Sequence, residues 1–274
     1  NRRRVALCTD DRQPPDLLDE GGIDHMLRVL VESGLEPLEA LRLATLNPAD
    51  YFGLRDRGAV APGRRADLVV VADLHAFAAE EVYVMGEPVA RSGQALPWRL
   101  PPAPAPPPPS MRVDWDAVDL SIPVRGDNVR VIRVVADQIV TEALVTQPRV
   151  VDGHVVADPV RDLLKIAVLE RHTGSGRAGL GLVHGIGLTE GALAGTVAHD
   201  HHNLIAVGVD DVSMLAALRA VAETGGGLAV ARGADILAAL TLPVGGLMSD
   251  RPIETIRRDL EAVLQAARSL GSPL

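Results

Sequence analysis

One cysteine, one lysine, and two each of tryptophan, tyrosine and phenylalanine are all that 274 residues contain. With Cys8 alone, no intrachain disulfide can form, and the chain fits a reducing compartment such as the cytoplasm. Aromatic residues at 2% leave no stacking platform for single-stranded nucleic acid. The 27 basic residues, all arginine except Lys165, are outnumbered by 36 acidic ones, and a net charge of -9 provides no basic field for a phosphate backbone. Uncharged apolar runs of membrane-spanning length are missing too, because His184, Glu190, His199 and Asp200 interrupt the most apolar part of the second half. Nucleic acid and membranes are therefore not expected as partners. No signal peptide is visible, and a start at Asn1-Arg2-Arg3-Arg4 without methionine gives that observation no weight. What is present is a globular composition, 47% hydrophobic and 23% charged, long enough for about two domains.

Val5–Thr9 reads as a buried strand whose C-terminal end opens into Asp10-Asp11-Arg12, the edge at which α/β folds place functional residues. Helical spacing continues over Ile23–Ser33, ending at Gly34, and a second helix opens at Pro37 and is expected to end at Asn47-Pro48. Ala66–Val71 is β-branched and predicts a buried strand, and Glu81–Met85 predicts another. Residues 97–109 hold eight prolines, the composition of an extended spacer. Beyond it, Val129–Val135 alternates as a half-exposed strand, and Leu163–Leu169 and Leu204–Val209 are apolar strands. Asp211 is expected to cap a helix through Met214, Leu218 and Val221. A last helix should start near Ser249-Asp250 with Ile253, Ile256, Leu260, Val263 and Ala267 as its apolar stripe.

Three constellations could carry chemistry. Gly174-Ser175-Gly176-Arg177-Ala178-Gly179 matches the dinucleotide G-x-G-x-x-G, with Asp200 about twenty residues on. That fingerprint requires a helix directly after the glycines, and Leu180–Gly187 carries three more, each costing about 1 kcal/mol in a helix, so tight turns are the better reading. His199-Asp200-His201-His202-Asn203 packs three imidazoles, a carboxylate and an amide before an apolar strand. It suits a metal, a proton relay or a buried polar network. Asp10 and Asp11, at a predicted strand end, could bind metal, act as a base or merely serve as an N-cap for the next element. Cytidine-type zinc deaminases are excluded, because their Pro-Cys-x-x-Cys needs two cysteines.

The residues also carry a resemblance. Cys8-Thr9-Asp10-Asp11-Arg12, Asp16-Leu17-Leu18, Thr45-Leu46-Asn47-Pro48-Ala49, Asp56-Arg57-Gly58-Ala59 and Ala66-Asp67-Leu68 resemble the end of an amidohydrolase barrel running into its small β-domain. Arg171-His172-x-Gly174-x-Gly176, Gly185-Ile186-Gly187-Leu188, Thr196-Val197-Ala198-His199-Asp200, His202-Asn203 and Leu242-Pro243-x-x-Gly246-Leu247-Met248-Ser249-Asp250 are similar to the C-terminal domain of the adenine deaminase family. The resemblance implies an α/β chain: the end of a TIM-barrel domain at 1–58 and part of a small β-domain at 59–96. A proline-rich linker at 97–110 and a separate α/β (α+β) C-terminal domain at 111–274 complete it.

It further implies hydrolysis of adenine to hypoxanthine and ammonia with two divalent metals, manganese or iron; the cysteine count sets the expectation of a cytoplasmic setting, and a homo-oligomer is expected. Asp10 takes the place of the eighth-strand carboxylate that binds metal and moves the proton, with Asp11 as second choice. The barrel's His-x-His is expected upstream of Asn1, so this chain should be a C-terminal fragment, inactive alone. His201, where a small polar residue is more usual, and the proline run depart from the family pattern. Two rivals stay open: an amidohydrolase acting on another aminopurine or a cyclic amide, and a non-catalytic module in which His199–Asn203 forms a structural or regulatory metal site, with His199, Asp200, His202 and Asn203 as the candidate residues.

Overall fold

The computed structural model describes residues 2–98, 105, 107, 108 and 110–273, and it separates into two units, Asn1–Pro104 and Ala105–Leu274. Most of the proline-rich spacer therefore lies outside the described residues. Among those described, no helix is long and apolar enough to cross a membrane.

In the first unit a single 3-10 turn at Arg2–Arg4 leads into an extended segment and then four helices, α1 (Pro14–Asp19), α2 (Ile23–Glu32), α3 (Pro37–Ala44) and α4 (Leu46–Tyr51). Two devices start α3: Pro37 in its first turn, where no amide donor is needed, and the Glu36 carboxylate, which accepts from Glu39 N at 3.0 Å. The apolar faces of α2 and α3 meet through Leu27 and Ala40, closed by Phe77, with Leu7, Leu30 and Leu41 packed around them. Burying Leu27 alone is worth about 2 kcal/mol. An antiparallel meander comes next, β1 (Leu68–Val71), β2 (Ala79–Val84), β3 (Glu87–Arg91) and β4 (Gln94–Ala95), in that spatial order.

Three expectations change here. Val5–Thr9 is extended but joins no ladder among the described residues; its one long-range backbone bond to them is Leu7 N to Leu43 O, 2.9 Å, and Val5 is exposed. A strand's stability comes from neighbours on both sides, and none of the four strands of this unit runs beside it. Asn47-Pro48 does not end a helix: α3 stops at Ala44, and the dipeptide sits in the first turn of α4, where proline is tolerated. The strand at Leu68–Val71 is half-exposed rather than buried, since it forms an edge of its sheet and Val69 and Val70 face solvent.

The second unit is built on an eight-stranded mixed sheet. Its strands are β5 (Val129–Val134), β6 (Thr141–Thr146), β9 (Leu163–Leu169), β10 (Ala178–His184), β11 (Ala192–Gly195), β12 (Leu204–Gly208), β13 (Gly227–Arg232) and β14 (Asp235–Thr241). A separate hairpin comprises β7 (Arg149–Val151) and β8 (His154–Val156). Spatial order is β14-β13-β11-β12-β9-β10-β5-β6, antiparallel throughout except for the parallel β10–β5 pair. Helix α5 (Asp211–Glu223) shares one core with Ala167, Leu169, Leu204 and Ala206. Helix α6 (Ile253–Ser269) shares another with Leu164, Val183, Val230 and Leu240. Successive β9 residues thus feed opposite cores, which is why that strand reads as a continuous apolar run. The result is a mixed α/β fold with several sheets.

Two charges enter this interior, Lys165 and Arg171. Lys165, on the α5 side of β9 and 5% exposed, donates to Asp211 Oδ1 at 2.6 Å and to Leu120 O at 2.8 Å. Asp211 is therefore the counter-ion rather than the cap. Asp210 caps α5, accepting from Ser213 N at 2.8 Å and from the Ser213 hydroxyl at 2.8 Å.

Candidate functional site

The segment Val5–Thr9 delivers Asp10 to the surface of the first unit. Asp10 is exposed, and its backbone lies in the left-handed region with φ 52°, a conformation that aspartate tolerates better than most residues. Its main-chain oxygen accepts from Arg12 N at 3.1 Å, while its carboxylate has no hydrogen bond or ion pair among the described residues. Asp11 is also exposed but does have a partner. Arg12 turns away from both acids, to Glu20 and, at 3.3 Å, to Asp16 O. Of the two neighbouring acids, the Asp10 carboxylate is thus open among the described residues, and Asp11 has a partner.

In the second unit, three of the sequence motifs meet at one end of the sheet. Arg171 leaves β9 almost completely buried, at 1% exposure. Its Nε donates to His202 O at 2.7 Å, one terminal nitrogen to the Ser110 hydroxyl and the other to Gly245 O at 3.0 Å. Gly246 lies flat against the guanidinium, where an added Cβ would stand 2.7 Å from Nη2. Thr196, fully buried, donates to Gly246 O at 2.6 Å and accepts from Gly227 N at 2.8 Å. Burial pulls the Arg171 pKa below the usual guanidinium value, and neutral oxygens satisfy its donors with no carboxylate among them.

The glycine-rich segment is a loop closed on its own carboxylate. Glu170 accepts from His172 N at 2.5 Å, Thr173 N at 2.9 Å and Ser175 N at 3.2 Å. Both hydroxyls add bonds, from Thr173 at 2.7 Å and Ser175 at 2.8 Å. Foremost the Thr173 hydroxyl, with the amides, holds Glu170 well below the usual carboxylate range. Gly174 and Gly176 take positive φ, and β10 comes where a nucleotide fold would have a helix. A dinucleotide cradle is absent from this loop because its amides already bind Glu170.

His199, Asp200, His201, His202 and Asn203 share the loop between β11 and β12, exposed except for His202 and Asn203. The rings of His199 and His202 touch edge-on, 4.9 Å between centroids. His202 is held at φ 46° by the bond from Arg171 to its oxygen and by its own amide on Ala198 O, 2.7 Å. His201 Nδ1 accepts from Asn203 N at 3.0 Å, and His201 O lies 3.2 Å from His172 Nε2. Two buried atoms, His202 Nδ1 and Asn203 Oδ1, have no hydrogen-bond partner among the described residues. Among the described residues, no three His, Cys, Asp or Glu side chains gather so as to hold a metal ion.

Sequence reasoning did not mark Arg171, Thr196 or Glu170 as functional residues. The signal available for Glu170 and Arg171 was a charged pair directly after an apolar strand; Arg171 and Thr196 also stand in stretches that resemble the adenine deaminase family.

Comparison with known proteins places the first part of the chain in a broad class: the amidohydrolase family model matches residues 2–89. The model of the adenine deaminase C-terminal domain matches residues 138–274, and the chain belongs to that family. Similar curated proteins carry the name adenine deaminase. One from Desulfatibacillum aliphaticivorans is 49% identical over 99% of this chain. Others are from Methanothrix thermoacetophila, 43% identical, and Bacillus pumilus, 38% identical, each over 100% of this chain. The chain spans about half the length of these relatives, 48% in each case.

The amidohydrolase class implies a metal cofactor. The open Asp10 carboxylate suits a hard divalent cation as one oxygen ligand. With no group of three ligands among the described residues, it fits as one member of a set and not as a whole site.

Proposed function

We propose that this chain is the C-terminal part of a metal-dependent adenine deaminase, which converts adenine and water into hypoxanthine and ammonia. The supporting observation is identity of 38% to 49%, over nearly the whole chain, to proteins of that name. In this reading residues 1–58 end a TIM barrel, 59–96 belong to its small β-domain, 97–110 are the linker and 111–274 are the accessory domain. The cofactor is manganese or iron. Bound at such a site, a divalent cation lowers the pKa of a water molecule toward neutrality.

Asp10 supplies one oxygen to the metal site. It also takes the proton from the water that attacks purine C6 and delivers it to the exocyclic nitrogen, which leaves as ammonia. An open carboxylate can do this; the neighbouring Asp11 is second choice. A reducing cytoplasm and a homo-oligomer belong to the same proposal. One carboxylate does not make a metal site, so the chain alone should not turn over adenine.

The test is adenine turnover, with manganese, by the protein expressed at the full length of its relatives, against a panel of other aminopurines. Preference for another aminopurine would move the assignment to a related amidohydrolase. A second reading, a metal site at His199 and His202 with Asp200 and Asn203 nearby, is favoured by the ring contact and the unpartnered His202 Nδ1. Metal titration of His199→Ala against the parent chain decides it, since equal stoichiometry removes the cluster as a site.

A further inference from the structure

The segment that carries Asp10 has no strand beside it, so something else must fix its direction. Three hydrogen bonds reach it from the corner between α3 and α4. Asn47 Nδ2 donates to Arg2 O at 2.9 Å and to Val5 O at 2.8 Å, and Leu7 N donates to Leu43 O at 2.9 Å. Asn47 is 6% exposed, and both hydrogens of its amide are spent on main-chain oxygens, one of the 3-10 turn (Arg2) and one of the segment that follows it (Val5).

The corner is itself rigid. The Thr45 hydroxyl donates to Leu41 O at 2.7 Å, and Ala49 is buried. Gly58, at φ 87°, packs so closely that an added Cβ would stand 2.6 Å from Ala49 Cβ and 3.0 Å from Thr45 O. The stretch Thr45-Leu46-Asn47-Pro48-Ala49 therefore works as a splint: small residues let the loop close on it, and its one buried amide grips the segment before Asp10.

From this geometry we propose that Asn47 is the positioning residue for Asp10, fixing the direction in which that carboxylate leaves the segment. The inference rests on the proposal that Asp10 is catalytic. Without the amide, the oxygens of Arg2 and Val5 lose their side-chain donor, and what still ties this stretch to the helices is the Leu7 N bond to Leu43 O, the ion pair of Arg2 with Glu39 and the packing of Leu7. A carboxylate free to move by about 1 Å costs on the order of 10²-fold in rate.

Two measurements test this. In the chain itself, Asn47→Ala should speed amide hydrogen exchange at Val5 and Leu7, whose amides have main-chain acceptors, at least tenfold and leave β9 and α5 unchanged; unaltered exchange at both overturns the proposal whatever the enzyme does. In the protein at the full length of its relatives, Asn47→Ala should lower kcat about 10²-fold with KM within about threefold. The double variant with Asp10→Asn should be no slower than Asp10→Asn alone, since the two act as a unit. Full activity in a folded variant, or losses that multiply, overturns it. Asn47→Asp keeps the volume without the donors and carries the same expectations if Asn47→Ala does not fold. If neither folds, Asn47 holds the fold rather than aims Asp10, and the proposal fails. Absence of adenine turnover in the unsubstituted protein would count against the function reading alone, and the exchange measurement would still decide the splint.

Discussion

At the end of Val5–Thr9 an exposed carboxylate stands on a stretch tied to the helices by three hydrogen bonds, whereas at the end of β9 a buried guanidinium draws three loops together. The Asp10 carboxylate has no partner among the described residues; Arg171 has one for each of its three nitrogens. A group that must meet something from outside costs little when left in water, while a buried one costs several kcal/mol unless its donors are met. The first end is open and poised, and the second is closed and over-determined.

Breaking the closed end should produce the largest loss of stability. Arg171→Ala leaves the oxygens of His202 and Gly245 without their donor and a void between loops, and should cost about 4 kcal/mol in urea denaturation. Arg171→Lys should recover little of it, because one ammonium cannot replace a planar fork reaching three segments. Loss of less than about 1 kcal/mol would mean that the loops hold without it.

A smaller loss is expected where the counter-ion is half-exposed. Asp211→Ala leaves Lys165 with Leu120 O alone and should cost about 2 kcal/mol, much of it returned by adding Lys165→Met, which removes the stranded charge. If the double variant is as unstable as the single one, Lys165 is not stranded.

The smallest effect concerns acid. Glu170 is held below its ordinary value of 4.5, so it binds fewer protons folded than unfolded. Its contribution is complete above that value and is lost as pH falls below it. Glu170→Gln should flatten the acid limb of a stability-against-pH curve and leave its slope near neutrality unchanged. An unchanged acid limb would show that the loop does not depend on this carboxylate.

Local pattern made α2, α3, β9 and α6 legible, because each buries one face or one strand at its own period. What stayed hidden depends on distant residues. Val5–Thr9 has strand composition but no ladder, and composition says nothing about neighbours. Adjacent Asp210 and Asp211 look alike as caps until Lys165 claims one of them. β10 was obscured by Gly179 and Gly181, which read as turns. The grip of Arg171 spans sequence separations of 31, 61 and 74 residues, beyond any window of periodicity. In the candidate site, Asp10 stood out as an acid at the end of an apolar run, but its difference from Asp11 is a matter of partners.

That difference is the most direct test of the account. In the protein at the full length of its relatives, with manganese supplied, adenine turnover should fall about 10³-fold on Asp10→Asn and less than about tenfold on Asp11→Asn. Equal losses, or a larger loss at Asp11, would contradict the assignment of Asp10 as the carboxylate that this chain contributes to the reaction.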